Sequence, residues 1–192
     1  EYELYSSSGG AVYFSNTNGE LKNCSFNNNH VYSNSVCAYG GAVNIKGSGN
    51  LKFEKCKFEN NYSSYEFKSM HTTVRPSNGG AVSTSNGGYF MECLFINNTA
   101  YSPDIPTNGG AIYFKDKEGT IKNCFFINNT SYSPSCETFG GGIYSLNAII
   151  NCEDSYFYNN SAYVLLNNSY GGTFYIVNGN GKCRNCTFDC NC

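Results

Sequence analysis

A Gly-Gly pair recurs along this chain at nearly constant intervals. Six such pairs begin at positions 9, 40, 79, 109, 140 and 171, so the intervals between them are 31, 39, 30, 31 and 31 residues. A period near 31 residues is typical of stacked units that are each too small to bury a core alone. We therefore interpret residues 1–192 as a single domain of six coils that begin near those positions.

Each pair is followed by a phenylalanine and, three residues later, by an asparagine. The phenylalanines are Phe26, Phe58, Phe95, Phe126, Phe157 and Phe188. The asparagines are Asn29, Asn61, Asn98, Asn129, Asn160 and Asn191. A residue type that returns in every unit forms a ladder when the units stack. We expect the phenylalanines to form an inward ladder and the asparagine amides to hydrogen-bond from coil to coil.

The segments between these motifs have the composition of strands. They are short, rich in β-branched and aromatic residues, and separated by Gly, Asn, Ser and Pro, as in Gly-Gly-Ala-Ile-Tyr-Phe at 109–114. The pattern shows no helical period, and a coil of three short strands and three turns fits the repeat length. The prediction is an all-β, right-handed parallel β-helix, which is a solenoid of about six coils with about 31 residues per coil. We predict the right-handed form because crossover connections between parallel strands are strongly right-handed.

The corners of the coil need residues with unusual backbone freedom. Glycine pairs suit a positive φ or a close backbone approach. Asparagine tolerates the left-handed conformation, which favours a structural role for the ladder asparagines at the opposite corner. The longest interval predicts an insertion loop at about 62–78, which is either a tolerated surface insertion or a binding loop.

Eleven cysteines in 192 residues, without zinc-ligand spacing, indicate an oxidising extracellular compartment. Their spacing near one coil makes three pairs candidates for disulfides, although a ladder of buried thiols is an equal alternative. The candidate pairs are Cys152 with Cys183, Cys93 with Cys124, and Cys24 with Cys56. Because eleven is odd, at least one sulfur is free or bonded to another molecule, and Cys190 and Cys192 are candidates for an intermolecular link.

Asn-x-Ser/Thr sequons give a second indication of secretion. Candidate glycosylation sites are Asn97, Asn128, Asn159, Asn61 and Asn167. If the ladder asparagines are buried, glycans should prefer Asn97, Asn128 and Asn159, which would point outward.

Charge and composition argue against several function classes. A net charge of −2 with arginine only at positions 75 and 184 argues against nucleic acid as a partner, and no apolar run is long enough for a membrane-spanning helix. We expect no catalytic residue, metal or cofactor. Polysaccharide-cleaving enzymes share the β-helix and need clustered carboxylates on one face, but the charged columns alternate in sign here, as stacking alone favours.

The Gly-Gly-Ala-Ile/Val motif paired with Phe-x-x-Asn resembles the repeat of the polymorphic outer membrane protein family. Four first motifs match in full, at Gly9, Gly40, Gly79 and Gly109, and all six second motifs match. The resemblance implies a β-helical adhesin at the cell surface.

These observations predict a non-catalytic extracellular structural protein. The leading hypothesis is a subunit or segment of a surface filament built by end-to-end stacking, either on identical subunits or on adjoining repeats, because open strand edges associate. The alternative is a cell-surface adhesin that binds glycans or another host or cell-surface ligand, and a polysaccharide-active enzyme is a further alternative.

Overall fold

The computed structural model describes residues 6–34, 37–66 and 76–192. These residues form an all-β parallel solenoid of about six turns, with no helix among them. Every strand pairs in parallel with the equivalent strand of the next coil. The predicted architecture and repeat length are confirmed. Among the described residues, no helix is long and apolar enough to cross a membrane.

The coils contribute to five parallel sheets, which we number in chain order. Sheet 1 contains Ser7–Ser8, Ala38–Tyr39, Ser77–Asn78, Thr107–Asn108, Thr138–Phe139 and Ser169–Tyr170. Sheet 2 contains Val12–Ser15, Val43–Lys46, Val82–Thr84, Ile112–Lys115, Ile143–Leu146 and Phe174–Val177. Sheet 3 contains Gly19–Lys22, Leu51–Glu54, Gly88–Met91, Gly119–Lys122, Ile149–Glu153 and Asn180–Arg184. Sheet 4 contains Ser25–Asn27, Lys57–Glu59, Leu94–Ile96, Phe125–Ile127, Tyr156–Tyr158 and Thr187–Asp189, and sheet 5 contains His30–Ser33, Tyr62–Tyr65, Thr99–Tyr101, Thr130–Ser133 and Ser161–Val164.

Five strand segments per coil differ from the three that the repeat length predicted. The reason is that single left-handed residues break the chain into shorter strands. In the third coil, for example, Glu92 (φ 51°) separates sheet 3 from sheet 4, and Asn97 (φ 53°) separates sheet 4 from sheet 5. A one-residue corner leaves no gap in the apolar pattern, so it is hard to recognise in a sequence.

The core is a set of continuous apolar ladders along the rod. The rings of Phe58, Phe95 and Phe126 are fully buried and stack with centroids 4.7 and 4.6 Å apart. This spacing matches the separation of hydrogen-bonded strands, so each ring lies over its equivalent in the next coil. Phe53 and Phe90 form a second stacked pair at 5.0 Å on sheet 3.

The two glycines of each pair have different roles, and both predicted reasons for them are confirmed. Gly40 has φ +61°, and a Cβ there would lie 1.9 Å from the carbonyl oxygen of Val43. Gly41 has no positive φ, but a Cβ on it would lie 2.0 Å from the carbonyl oxygen of Gly80 in the next coil. The first glycine therefore makes the corner between sheets 1 and 2, and the second lets neighbouring coils approach.

The predicted bounds of the insertion loop, 62–78, are wrong at both ends, because they include residues that form strands. Tyr62–Tyr65 pairs with both neighbouring coils in sheet 5, and Ser77–Asn78 pairs with both neighbours in sheet 1. Both segments are polar, and this obscures their strand character in the sequence. Residues 67–75 of the predicted loop lie outside the described residues.

Candidate binding site

The asparagine column forms a hydrogen-bonded ladder inside the corner between sheets 4 and 5. The side-chain amide nitrogen of each asparagine donates to the Oδ1 atom of the next, at 2.8 to 2.9 Å from Asn29 to Asn191. It also donates to the carbonyl oxygen of the preceding coil's phenylalanine, as from Asn98 to Phe58 at 2.9 Å. Asn61, Asn98, Asn129 and Asn160 are fully buried. Their amides therefore satisfy the bent backbone and are not available to a ligand.

The left-handed residues of this corner are not the ladder asparagines, contrary to the prediction. They are the residues immediately before them: Asn28, Asn60, Asn97, Asn128, Asn159 and Cys190, all with φ between 51° and 55°. The left-handed residue turns the chain, and the next residue then points inward to fill the corner. Two adjacent asparagines thus have separate functions.

The cysteine column occupies the equivalent position at the corner between sheets 3 and 4. The thiol of Cys124 donates to the carbonyl oxygens of Lys122 at 3.2 Å and Phe90 at 3.3 Å, and its Sγ accepts the backbone N–H of Cys93 at 3.4 Å. In the fifth coil the hydroxyl of Ser155 accepts the backbone N–H of Cys124 at 3.1 Å in the same way. The column is a second corner ladder in which serine replaces a thiol.

The cysteines of two predicted pairs, Cys24 with Cys56 and Cys93 with Cys124, are free thiols in the structure. Hydrogen bonding to Cys124 raises the pKa of the Cys93 thiol to about 12, with burial as a further cause. This thiol therefore stays protonated at neutral pH and is a poor nucleophile. The hydrogen bonds of this column agree with a ladder of buried thiols, which was the alternative to disulfides in the sequence analysis.

The cysteines near the C-terminal end lie closer to the surface, apart from Cys152, which is buried. Cys183 lies in register with Cys152, as predicted, but the Sγ of Cys186 also approaches that of Cys152, at 3.6 Å. Cys190 and Cys192, the candidates for an intermolecular link, are exposed. Among the described residues, no group of three or more histidine, cysteine, aspartate or glutamate side chains is arranged to hold a metal ion.

The candidate glycosylation sites fall into two groups. Asn97, Asn128, Asn159 and Asn167 are exposed. Asn61 is fully buried, and its amide nitrogen donates to Phe26 and Asn98. The prediction that Asn61 accepts a glycan is therefore wrong for the folded chain. The asparagine of this sequon is also a buried ladder asparagine, so its amide nitrogen is not accessible.

The charged columns form ion pairs between coils. Lys22 and Glu54 lie 2.6 Å apart, and Lys122 and Glu153 lie 3.0 Å apart. Glu54 also pairs with Lys52 at 2.9 Å. Lysines of the same coil and of the neighbouring coil therefore neutralise these carboxylates.

An open groove lies outside the glycine corner, between sheets 1 and 2. We call it the tyrosine groove. It has a volume of about 620 Å³ and is lined by Ser6, Ser8, Tyr13, Tyr39, Asn44, Lys46, Ser83, Ser85, Tyr113 and Lys115. This volume is within the range of small-molecule sites.

The groove exists because small side chains interrupt an aromatic column. The outward column of sheet 2 reads Tyr13, Asn44, Ser83, Tyr113, Tyr144 and Tyr175 from coil to coil. In the last coils its tyrosines stack and pack against sheet 1, as Tyr175 does against Phe139 with centroids 4.9 Å apart. Where Asn44 and Ser83 replace the tyrosines, that space is empty.

The floor of the groove is polar and the walls are aromatic. Asn44 is 6% exposed and Ser83 3% exposed. Neither side chain makes a hydrogen bond to another described residue. Burial raises the pKa of the Tyr113 and Tyr39 hydroxyls well above the usual value, so both remain hydrogen-bond donors. The groove combines unpaired polar groups with aromatic rings, the usual composition of a ligand site.

Sequence reasoning did not identify this groove. Its residues belong to four coils and two sheets, and only the strand register places Asn44 beside Ser83. The one available signal was the break in the tyrosine column, which can be recognised once the coils are aligned on their Gly-Gly pairs.

A family model described as the Chlamydia polymorphic membrane protein (Chlamydia_PMP) repeat matches residues 92–115 and 123–146. Each match begins near a Phe-x-x-Asn motif and extends past the following Gly-Gly pair. The first match contains both motifs of the predicted resemblance in full, and in the second a glycine replaces the alanine after the Gly-Gly pair. The resemblance is confirmed, and the chain carries this repeat. No curated protein and no solved structure shows a significant match to the chain.

Proposed function

We propose that this chain, which carries the polymorphic membrane protein repeat, is a non-catalytic part of a cell-surface adhesin. Its solenoid is the rigid support, and the tyrosine groove is the surface that binds a ligand. The observation that carries the proposal is the pair of buried polar side chains, Asn44 and Ser83, that open this groove in an otherwise filled aromatic column.

The rigidity of the scaffold favours a binding role. The ladders of phenylalanine, asparagine and cysteine hold each coil in register with the next through buried contacts. The groove walls belong to strands of these coils, so the site is formed before a ligand arrives. Preorganisation lowers the entropic cost of binding.

The chemistry of the groove supports a non-catalytic role. No aspartate or glutamate is among the described residues that line it. Glycoside hydrolysis normally needs two carboxyl groups on either side of the scissile bond. The groove offers hydroxyls, an amide and ammonium groups instead, which are suited to recognition.

End-to-end stacking, the leading hypothesis from the sequence, is a second candidate function. Phe188 ends the phenylalanine ladder and is 48% exposed, whereas Phe157 beneath it is fully buried. A further coil, of the same polypeptide or of another copy, would cover that ring. Electron microscopy of the chain should then show filaments with an axial repeat of about 29 Å for six coils, and dispersed short rods would contradict it.

The adhesin proposal is tested by filling the groove. Ser83→Tyr places a ring beside Tyr113 and continues the aromatic column through the gap. We expect fluorescently labelled chain to bind epithelial cell monolayers saturably, and the variant to bind at least about tenfold more weakly.

Thr120→Tyr is the matched control, because it adds the same ring at an outward position of sheet 3, beside Tyr89. It should bind as the unsubstituted chain does. Equal binding by Ser83→Tyr and Thr120→Tyr, or no saturable binding by the unsubstituted chain, would show that the groove is not an adhesive surface.

A further inference from the structure

The tyrosine groove also carries an uneven charge. Lys46 and Lys115 lie in one outward column of sheet 2, on either side of Ser85. Lys46 forms no ion pair within 4 Å among the described residues, and Lys115 has only a distant carboxylate, that of Asp116 at 3.9 Å. By contrast, four other lysines pair with a carboxylate within 3.0 Å, namely Lys22, Lys52, Lys57 and Lys122. Two ammonium groups are therefore available at the groove.

We propose that the groove binds an acidic oligosaccharide, one that carries carboxylates on alternating sugars. This proposal rests on the adhesin function and specifies its ligand. The lysines are about 9.6 Å apart along the rod, since two coil spacings separate them. Two separate carboxylates on an extended ligand match this arrangement better than one compact anion does.

The aromatic residues favour a sugar over a simple anion. Tyr13 is 48% exposed at one end of the gap, and Tyr113 closes the other end, stacked on Tyr144 at 5.4 Å. A tyrosine ring offers an apolar face with a polar hydroxyl at its edge. The C–H face of a pyranose packs against such a ring while its hydroxyls reach polar neighbours.

The floor supplies those polar neighbours. The amide of Asn44 donates and accepts, and the hydroxyl of Ser83 does both. Because these groups are nearly buried and have no hydrogen bond to another described residue, a sugar hydroxyl that reaches them adds a hydrogen bond without breaking one within the protein.

The test uses isothermal titration calorimetry of the full chain with two probes of equal length. The acidic probe is the hyaluronan tetrasaccharide, with alternating glucuronate and N-acetylglucosamine, and the neutral probe is tetra-N-acetylchitotetraose. We expect the acidic probe to bind at least about tenfold more tightly. Lys46→Gln combined with Lys115→Gln should remove this preference, and Ser83→Tyr should abolish binding of both.

Lys182→Gln is the control, because Lys182 lies exposed on sheet 3 and forms no ion pair among the described residues. It should leave the affinity unchanged, and circular dichroism should show that every variant retains the fold. A hexaglutamate peptide has carboxylates without sugar faces and should bind more weakly than the acidic probe.

Equal affinity for the acidic and neutral probes would overturn the proposed charge selection. Equal affinity for hexaglutamate would replace the saccharide with an acidic peptide. If neither saccharide binds while Ser83→Tyr still reduces cell attachment, the saccharide proposal fails and the adhesin proposal stands. If cell attachment does not depend on the groove, the adhesin proposal fails first.

Discussion

Asn98 and Asn129 are joined by two hydrogen bonds that end on one atom. The Oδ1 of Asn129 accepts from the backbone N–H of Asn98 at 3.1 Å and from its side-chain amide at 2.9 Å. The same amide nitrogen donates to the carbonyl oxygen of Phe58 at 2.9 Å. Each interior ladder asparagine therefore connects three consecutive coils, which explains why a single residue type recurs at every turn.

Asn98→Ala should destabilise the chain strongly. It removes the acceptor of the Asn61 backbone N–H and amide, and the donor to Phe58 and Asn129, all within a buried corner. Stranded buried groups cost about 1–3 kcal/mol each, so we expect a loss of roughly 3 kcal/mol or more in the free energy of unfolding. Urea titration followed by circular dichroism measures it.

The control is Asn97→Gly, one residue earlier. Asn97 is exposed with φ 53°, a conformation that glycine adopts freely. We expect a much smaller change in the free energy of unfolding than for Asn98→Ala. Similar losses in the two variants would contradict the separate roles of Asn97, which turns the chain, and Asn98, which fills the corner.

Cys124→Ala should cost more stability than Cys124→Ser. Alanine leaves the backbone N–H of Cys93 without its Sγ acceptor, whereas serine reproduces the arrangement that Ser155 already makes in the next coil. The expected difference between the variants is about 1 kcal/mol. A reducing agent should not change the unfolding midpoint of the unsubstituted chain, since these cysteines are free thiols, and a large decrease would restore the disulfide interpretation.

The periodic residues predicted the solenoid, its register and its ladders, because stacking copies a local interaction once in every coil. Phe95 and Asn98 illustrate this, since each is buried against its own equivalents. The groove depends instead on departures from the repeat, at Asn44 and Ser83. Such departures have no periodic signal, and their effect depends on what neighbouring coils and sheet 1 place around them.

Glu54 should contribute to stability in a defined range of pH. Hydrogen bonding to Lys22 and Lys52 lowers the pKa of this carboxyl from 4.5 to about 2. A group whose folded pKa is lowered contributes stability above its unfolded pKa and loses that contribution as pH falls through the folded value. The advantage of the unsubstituted chain over Glu54→Gln should therefore be present at neutral pH and disappear between about pH 4.5 and 2.

Urea titrations of both chains across this range measure the difference. High salt should reduce it at neutral pH, because the ion pairs are on the surface. A difference that does not change with pH would show that the ion pairs with Lys22 and Lys52 are not its source.

Expression through a eukaryotic secretory pathway should place glycans on the exposed sequons only. Asn97, Asn128 and Asn159 are exposed, but they lie above one another on successive coils, so glycans there should crowd and occupy the sites partially. Asn61 should be unmodified in folded material, because its amide lies in the ladder. Glycopeptide mass spectrometry of the secreted chain tests this, and a glycan on Asn61 in native chain would contradict the buried ladder.

Ser145→Ala should leave stability unchanged or increase it. The Ser145 hydroxyl is fully buried on the inner face of sheet 2, in register with Phe114 and Ile176, and has no hydrogen-bond partner among the described residues. Removing an unpaired buried hydroxyl relieves its desolvation cost, about 1 kcal/mol. Ser131→Ala is the matched control, because that buried hydroxyl donates to the carbonyl oxygen of Thr107 at 2.9 Å and should cost about 1 kcal/mol when removed. Urea midpoints that move in the same direction for both variants would mean that the Ser145 hydroxyl has a stabilising contact.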